Sequence, residues 1–247
     1  MHPFKRLAIN SGMYRPARLL HRALYASERR SLRDGLSLYG EFVQRGDLVF
    51  DIGANIGAKT EIFLLLGARV VAVEPQPEPV EEIRARCIGH EPNLIVVQKA
   101  VGAKAGRSIL HMKRQSGQSS LLEQWEGVDA GEMVVELTTL DALIEQYGFP
   151  SFVKIDVEGF EDQVLAGLSK RLPCLTLEYH CSEEGARTMT TLVEYLAQSG
   201  SLLINATPEE GNRLLLSEWI SGDEFLSKFP ECVRPHYFGD LIIRTVK

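Results

Sequence analysis

The sequence predicts an α/β protein whose doubly wound, mostly parallel sheet is covered by helices on both faces. Three observations lead to this prediction. Short apolar runs that resemble buried strands alternate with helical segments from residue 47 onward. Several runs end in an acidic residue, as at Asp51, Glu74 and Asp156. The first run passes into a glycine-containing turn and then a helix, which is how a doubly wound fold begins.

The predicted strands are short apolar runs bounded by glycine, proline or polar residues. In order, they are Asp47–Ile52, Arg69–Val73, Leu94–Gln98, Ser108–Met112, Met133–Leu137, Phe152–Asp156, Leu175–Tyr179, Ser201–Asn205 and Tyr237–Val246. Helices are predicted at Gly57–Leu66, after Pro75, at Leu140–Tyr147, at Phe160–Leu168 and at Glu184–Gln198. Gly67 and Gly89 end the first two helices, and Thr139 caps the third. This alternation implies right-handed crossovers between parallel strands.

The length and composition are those of a soluble globular protein large enough to bury one substantial core. The chain has 247 residues, of which 45% are hydrophobic and 24% charged. No apolar stretch reaches the roughly 20 residues that span a bilayer, and no apolar leader precedes a cleavage site, so a cytoplasmic location is expected. The four cysteines and six histidines lack the spacing of a zinc site or of a disulfide framework. We therefore expect reduced thiols and no metal site built from histidines. The sequence still permits a magnesium ion bound by carboxylates.

Charge is distributed unevenly along the chain. The first 34 residues carry eight basic and two acidic residues, a net charge of +6 that leaves −12 for the remainder. We therefore predict a basic helical extension at residues 1–41 and one domain at residues 42–247. The extension either contacts an anionic membrane surface or an acidic partner, or simply exposes the basic face of a helix. That basic face would include Arg18, Arg22, Arg29 and Arg33. A body of charge −12 argues against nucleic-acid binding.

The turn after the first strand reads Asp51-Ile-Gly53-Ala-Asn55-Ile-Gly57. Gly53 permits close backbone approach to a ligand, and Gly57 lets the helix pack near the strand. The turn is not the GxGxxG of dinucleotide sites, and Asp51 suits a cationic ligand better than a pyrophosphate. Glu74 ends the next strand at the spacing where an acid accepts hydrogen bonds from ribose hydroxyls. The alternative is a capping Asp51 and a merely solvated Glu74.

A second group of ionisable residues follows the strand predicted to lie beside the first. Lys154, Asp156, Glu158 and Glu161 fall within eight residues. They form either an ion-pair network that fixes the loop or the reactive edge of a pocket, where carboxylates orient or deprotonate a hydroxyl. His180 ends the following strand and is either structural or a general base.

The polar stretch from Lys113 to Gly131 is long for a connection between a helix and a strand. Its segment Ser116–Leu122 contains Gly117 and a Ser119-Ser120 pair, a composition that suits a mobile loop contacting substrate. We therefore expect this connection to have a role in the site.

Five motifs in this order resemble the FkbM family of methyltransferases. They are Val49–Gly57, Val73–Pro77, Ala100–Gly102, Thr139–Asp141 and Lys154–Glu161. The resemblance runs from about Phe42 to His180 and implies a Rossmann-like class I methyltransferase fold with an antiparallel C-terminal strand. It also implies S-adenosylmethionine as methyl donor and a hydroxyl of a small molecule, sugar or natural product as acceptor.

The resemblance also assigns residues. Those implied to bind the cofactor are Asp51, Gly53, Ala54, Asn55, Gly57, Thr60, Glu74, Pro75, Ala100 and Val101. Of these, Glu74 is implied to bind the ribose and Ala100 and Val101 to lie near the adenine. The catalytic candidates are Lys154, Asp156, Glu158 and His180. Two alternative functions stay open. The first is a catalytically inactive module that binds S-adenosylmethionine or a partner, and the second is a nucleotide-dependent oxidoreductase. The sequence also leaves open the identity of the acceptor and the oligomeric state.

Overall fold

A computed structural model of the chain describes residues 26–113, 116–123, 129–208, 213–229, 231–233 and 238–246. The strands are β1 (Leu48–Ile52), β2 (Arg69–Val73), β3 (Leu94–Val97), β4 (Ala100–Val101), β5 (Gly106–Lys113), β6 (Asp129–Thr138), β7 (Phe152–Ile155), β8 (Cys174–His180), β9 (Leu202–Pro208), β10 (Ile220–Ser221) and β11 (Phe238–Thr245). The helices are α1 (Ala26–Tyr39), α2 (Ala58–Leu65), α3 (Pro77–Arg86), α4 (Leu140–Tyr147), α5 (Glu161–Ala166), α6 (Glu183–Ala197) and α7 (Gly222–Lys228). Short 3₁₀ turns lie at Glu91–Asn93, Ser116–Gln118 and Glu231–Val233.

The main sheet has eight strands in the order β10-β9-β11-β8-β7-β1-β2-β3. Strands β3, β2, β1, β7 and β8 pair in parallel, whereas β11 is antiparallel to both of its neighbours, β8 and β9. The chain moves outward in one direction from β1 to β3 and then returns to the other side of β1 at β7. The predicted doubly wound fold with an antiparallel C-terminal strand is therefore confirmed. The strand order reverses at β1, which has β2 on one side and β7 on the other.

Both faces of the parallel strands β1, β2, β7 and β8 are largely buried, which explains their continuous apolar sequences, whereas the edge strand β3 is only partly buried. In β1, Val49 packs in a cluster with Phe63 of α2, while the adjacent Phe50 packs in a second cluster with Leu140 of α4. Since successive side chains of a strand point to opposite faces, helices cover the sheet on both sides. Leu38 of α1 belongs to the same cluster as Val49.

A second, smaller sheet is the main difference from the sequence prediction. Strands β5 and β6 pair with each other in antiparallel register, and the short β4 adds to β6. The connection after Lys113 therefore joins two strands of a hairpin, the predicted strands Ser108–Met112 and Met133–Leu137. One face of this sheet is exposed, as Val134 shows at 68% exposure, while Leu110 on the other face is 3% exposed. This alternation is typical of antiparallel strands covered on one side only.

Other predictions have mixed outcomes. The helix Gly222–Lys228 and the two-residue strands β4 and β10 were not predicted. Arg29 and Arg33 are exposed on α1, whereas the predicted basic face before residue 26 lies outside the described residues. Among the described cysteine side chains, those at positions 87, 174 and 181 are free thiols. Of the helices in the described ranges, none has the length and apolar character needed to cross a membrane.

Candidate active site

A cleft of about 590 Å³ opens where the carboxyl ends of β1, β2 and β7 meet. In an open α/β sheet this edge, at the reversal of strand order, is where ligands bind. Residues that follow all three strands line the cleft, together with residues of β4, β5 and the connection between β5 and β6. The lining residues are Ile52, Gly53, Asn55, Val73, Glu74, Pro75, Gln76, Lys99, Ala100, Val101, Leu110, Gly117, Ser119, Leu121, Asp156, Val157 and Glu158.

The glycine turn after β1 brings its backbone against the loop that follows β7. Gly53 has φ 77°, and a Cβ at this position would lie 1.7 Å from the carbonyl oxygen of Asp156. A side chain is therefore excluded both by conformation and by contact. Gly53 and Ala54 donate their backbone N–H groups to the carbonyl of Val73, 3.0 Å away, which fixes the turn to the end of β2.

Gly57 and Asn55 complete this turn. Gly57 has φ 77°, and a Cβ on it would lie 3.1 Å from Ile83 of α3, so the start of α2 packs close to its neighbour. Asn55 has φ 45°, an uncommon conformation for a residue with a side chain, although asparagine adopts it more readily than most. Gly53 and Asn55 of this turn line the cleft. The close contact at Gly57 is with α3, whereas the sequence led us to expect the helix to pack near the strand.

Asp51 lies beneath the cleft rather than on its wall and is 1% exposed. Its Oδ2 accepts a hydrogen bond from the Thr60 hydroxyl at 2.5 Å, and burial raises its pKa. Its Oδ1 is buried without a hydrogen-bond partner among the described residues. An unpaired buried acceptor is costly, so the strand end favours a ligand that brings a donor or a positive charge.

Glu74 ends β2 and lines the cleft with a side chain held at both oxygens. Its Oε2 accepts from the backbone N–H of Asn55 at 3.0 Å and its Oε1 from that of Gln76 at 2.9 Å. Burial raises the pKa of Glu74 to about 7, and these two hydrogen bonds oppose the shift. The side chain of Gln76 also donates a hydrogen bond to this carboxylate. Since a carboxylate has about four acceptor positions, these three hydrogen bonds leave about one for a hydroxyl group of a ligand.

The charged residues after β7 surround a buried lysine. Lys154 is 3% exposed, and its Nζ donates to Asp156 Oδ2 at 2.5 Å. Burial alone would lower the pKa of Lys154, but the negative charges of Asp156, Asp240 and Asp51 raise it above its ordinary value. Three acids therefore share one buried cation. The pairing supports the ion-pair interpretation of this motif and also fixes Asp156 at the cleft.

Asp240 of β11 is a member of this network that was not predicted. It is 8% exposed, burial raises its pKa, and it accepts a hydrogen bond from the Tyr39 hydroxyl at 3.5 Å. An acid inside the otherwise apolar run Phe238–Ile243 was the available signal. The pairing that brings it near Lys154 depends on long-range strand order, which the sequence does not display.

Glu161, quoted in the motif but not proposed as a site residue, organises the loop itself. It is 3% exposed, and its Oε1 accepts from the backbone N–H groups of Val157 at 3.2 Å and Gly159 at 3.3 Å. Burial raises its pKa to about 7. The loop that carries Asp156 and Glu158 is thus shaped by a buried acid at the start of α5.

Glu178 and His180, at the end of β8, extend the acidic edge. Carboxylate oxygens of Asp156, Glu158 and Glu178 all lie within 4.8 Å of one another, a spacing that would allow a shared cation, although such groups are common without one. The Nε2 of His180 lies 3.6 Å from Glu178 Oε2, and this interaction raises the pKa of His180 despite partial burial. His180 stands beside the cleft wall, with its ring 6.1 Å from that of Phe238.

Of the residues proposed from sequence, eight line the cleft: Gly53, Asn55, Glu74, Pro75, Ala100, Val101, Asp156 and Glu158. The others, which support the wall or flank it, are Asp51, Ala54, Gly57, Thr60, Lys154 and His180. Lining residues that the sequence reasoning missed include Gln76, Lys99, Leu110 and Val157. Most of these come directly after a predicted site residue or a predicted strand in the sequence, and this position could have identified them as candidates.

Comparison with known proteins gives one family match. The profile described as the Methyltransferase FkbM domain matches residues 51–201. Among curated relatives, the 31-O-demethyl-FK506 methyltransferase FkbM of Streptomyces tacrolimicus is 36% identical over 104 residues, which cover 40% of this chain and 35% of that protein. The hexuronic acid methyltransferase AglP of Haloferax volcanii is 26% identical over 145 residues, covering 58% of this chain and 59% of that protein. The alignments thus span less than two thirds of either relative.

Solved structures also resemble the chain. The precorrin-6Y C5,15-methyltransferase of Geobacter metallireducens has a TM-score of 0.47 and 15% identity, with 87% of both chains covered. The precorrin 8W decarboxylase from Methanobacterium thermoautotrophicum has a TM-score of 0.45 and 15% identity, with 90% of this chain and 91% of that chain covered. These scores are too low to bear on function.

Proposed function

Because the chain belongs to the FkbM methyltransferase family, we propose that it transfers a methyl group from S-adenosylmethionine to a hydroxyl oxygen of a small molecule, sugar or natural product. The observation that carries this proposal is the cleft at the reversal of strand order, with a glycine turn on one side and Glu74 on the other. The strand order, with an antiparallel strand between β8 and β9, is that of the class I methyltransferase fold.

The cleft residues fit this cofactor on three grounds. Glu74 retains about one acceptor position for a ribose hydroxyl besides its hydrogen bonds from Asn55 and Gln76. The turn at Gly53 offers backbone groups close to the cleft. The unpaired Oδ1 of Asp51 and the excess of acids around Lys154 favour a ligand with positive charge, as S-adenosylmethionine has at its sulfonium and amino groups.

We call the part of the cleft formed by Gly53, Asn55, Glu74 and Gln76 the cofactor half. We call the part formed by Asp156 and Glu158, together with the flanking Glu178 and His180, the acceptor half. When bound, S-adenosylmethionine supplies an electrophilic methyl group. Positioning of the acceptor is the chain's main contribution, since orientation supplies up to about 7–11 kcal/mol of barrier reduction.

The acceptor half also has groups that accept a proton. An aliphatic hydroxyl must lose its proton as the methyl group is transferred, and a base in reach typically adds about 10²–10⁴-fold in rate. Asp156 lines the cleft and is oriented by Lys154, so it is our first candidate. Glu158 lines the cleft as well, and His180, paired with Glu178, lies beside it.

The acceptor class is supported by the names of the two relatives. The Streptomyces protein is named for methylation at an oxygen of a natural product, and the Haloferax protein for a hexuronic acid. We therefore expect an acceptor that bears hydroxyl groups.

Calorimetric titration tests the cofactor assignment. Purified protein is titrated with S-adenosylmethionine, S-adenosylhomocysteine and NADH, and the titrations are repeated with Glu74→Ala. We expect the two adenosyl ligands to bind and the substitution to weaken them about 10–100-fold, because hydrogen bonds to a buried carboxylate are lost. The matched control is Glu81→Ala, an exposed glutamate of α3 outside the cleft. Binding of NADH alone would support a nucleotide-dependent oxidoreductase and overturn the proposal.

A further inference from the structure

We propose that Ser120 is a positioning residue that ties the acceptor half of the cleft to its cofactor half. It belongs to a segment between β5 and β6, residues 117–122, which we call the strap. The strap contacts the loop after β1, the loop after β2 and the loop after β7. The inference rests on the proposed function only in that a ligand is expected in the cofactor half.

Ser120 is held from two sides. It is 1% exposed, and its hydroxyl donates to the carbonyl oxygen of Glu158 at 2.7 Å while accepting from the backbone N–H of Leu122 at 3.1 Å. Its own backbone exchanges two hydrogen bonds with His111 of β5, at 2.9 and 3.2 Å. The hydroxyl is therefore fixed in place by the hairpin and fixes Glu158 in turn.

Glu158 has a backbone conformation that needs such support. Its φ of 56° is left-handed, a region that residues with a side chain seldom adopt because it is sterically strained. Because the backbone conformation sets the direction of the side chain, a hydrogen bond to this peptide helps to determine where the Glu158 carboxylate lies. That carboxylate is one of the groups of the acceptor half, within 4.8 Å of those of Asp156 and Glu178.

The same strap forms part of the wall of the cofactor half. Gly117 lies so close to Asn55 that a Cβ would be 2.6 Å from its Nδ2. Ser119 Oγ accepts from the backbone N–H of Lys113 at 3.0 Å and donates to Gln76 Oε1 at 3.4 Å. A ligand that fills the cofactor half therefore touches the segment that holds Glu158. We infer that occupation of one half stabilises the arrangement of the other.

Hydrogen exchange with mass spectrometry tests this coupling without an acceptor. Exchange is compared with and without saturating S-adenosylhomocysteine in the full chain, in Ser120→Ala and in Ser120→Thr, which keeps a hydroxyl. In the unsubstituted protein we expect the ligand to slow exchange both at residues 53–57 and at residues 157–161. In Ser120→Ala the protection at 157–161 should fall at least twofold, while that at 53–57 is retained. Ser120→Thr should restore it.

The outcomes separate this inference from the proposed function. Equal protection of residues 157–161 in Ser120→Ala and the unsubstituted protein, or no protection there in either, overturns the role of Ser120 while protection at 53–57 still supports the cofactor. Failure of Ser120→Thr to restore protection also overturns it, because a general packing defect would then explain the loss. Absence of any ligand-induced protection contradicts the proposed function itself.

Discussion

The two halves of the cleft differ in the chemical groups that form them. The cofactor half consists mainly of backbone, in a turn where Gly53 is required by both conformation and contact, and of one carboxylate held by backbone N–H groups. The acceptor half consists of ionisable side chains that hold one another, as Lys154 holds Asp156. The structure of the cofactor half therefore depends on close backbone contact, and that of the acceptor half depends on paired charges. We expect a substitution that adds volume to disturb the first half and one that removes a charge to disturb the second.

Removal of charge from the acceptor half should have the largest effect. Asp156→Asn keeps the side-chain shape but removes the candidate base, so we expect kcat for methylation of a hydroxylated acceptor to fall about 10²–10⁴-fold. Affinity for S-adenosylhomocysteine, measured by calorimetry, should change less than about threefold. The exposed Asp162→Asn, six residues further along, is the matched control. Unchanged turnover in both Asp156→Asn and His180→Gln would show that neither of these residues is the base.

A substitution that changes shape should damage the cofactor half instead. Gly53→Ala places a Cβ 1.7 Å from the Asp156 carbonyl, so we expect affinity for S-adenosylhomocysteine to fall at least about 100-fold as the turn is displaced. Gly46→Ala is the control, because Gly46 has φ 91° but no atom within 4 Å of its Cβ position. Similar losses of affinity in the two variants would mean that backbone strain, and not contact with the loop after β7, explains the requirement for glycine.

The smallest effect that we expect is a dependence of the free energy of unfolding on pH. Glu74 belongs to the cofactor half, and Glu161 shapes the loop that carries Asp156 and Glu158 of the acceptor half. Both are buried glutamates with a pKa of about 7 against an ordinary 4.5. Between these values the folded protein keeps protons that the unfolded chain has released, so the free energy of unfolding should fall as pH rises from about 4.5 to about 7, by about 1–3 kcal/mol per glutamate. Urea denaturation at several pH values measures this slope. Glu74→Gln and Glu161→Gln should each remove one part of it, and a slope unchanged in both variants would assign the effect elsewhere.

Much of the fold followed from local sequence. The strand Arg69–Val73 and the helix Leu140–Tyr147 have the predicted bounds, because apolar runs and caps such as Thr139 are local signals. The smaller sheet was missed because its strands look similar to the others one at a time. Only the half-exposed alternation around Val134 distinguishes them, and pairing partners are decided by packing over long distances.

The site shows the same division. Residues of the glycine turn and Glu74 were proposed from the strand–turn–helix pattern, their spacing and the family resemblance, and the structure has Gly53, Asn55 and Glu74 on the cleft wall. Asp240 was not proposed, because it acts through Tyr39, a partner far away in sequence. Ser120 was named only as part of a loop expected to contact substrate, and its own role depends on the equally distant Glu158. Sequence motifs thus reveal what one strand end contributes, but not what a distant strand or hairpin adds to it.

The position of β11 has a consequence for synthesis of the protein. This strand comes last in the described chain yet lies between β8 and β9, so β9 has no place in the sheet until β11 has been made. During translation, the parallel strands around β1 are available to pair well before the antiparallel part. Lys154 meanwhile lacks Asp240, one of the acids that raise its pKa. The charges around Lys154 are therefore complete only after β11 has left the ribosome.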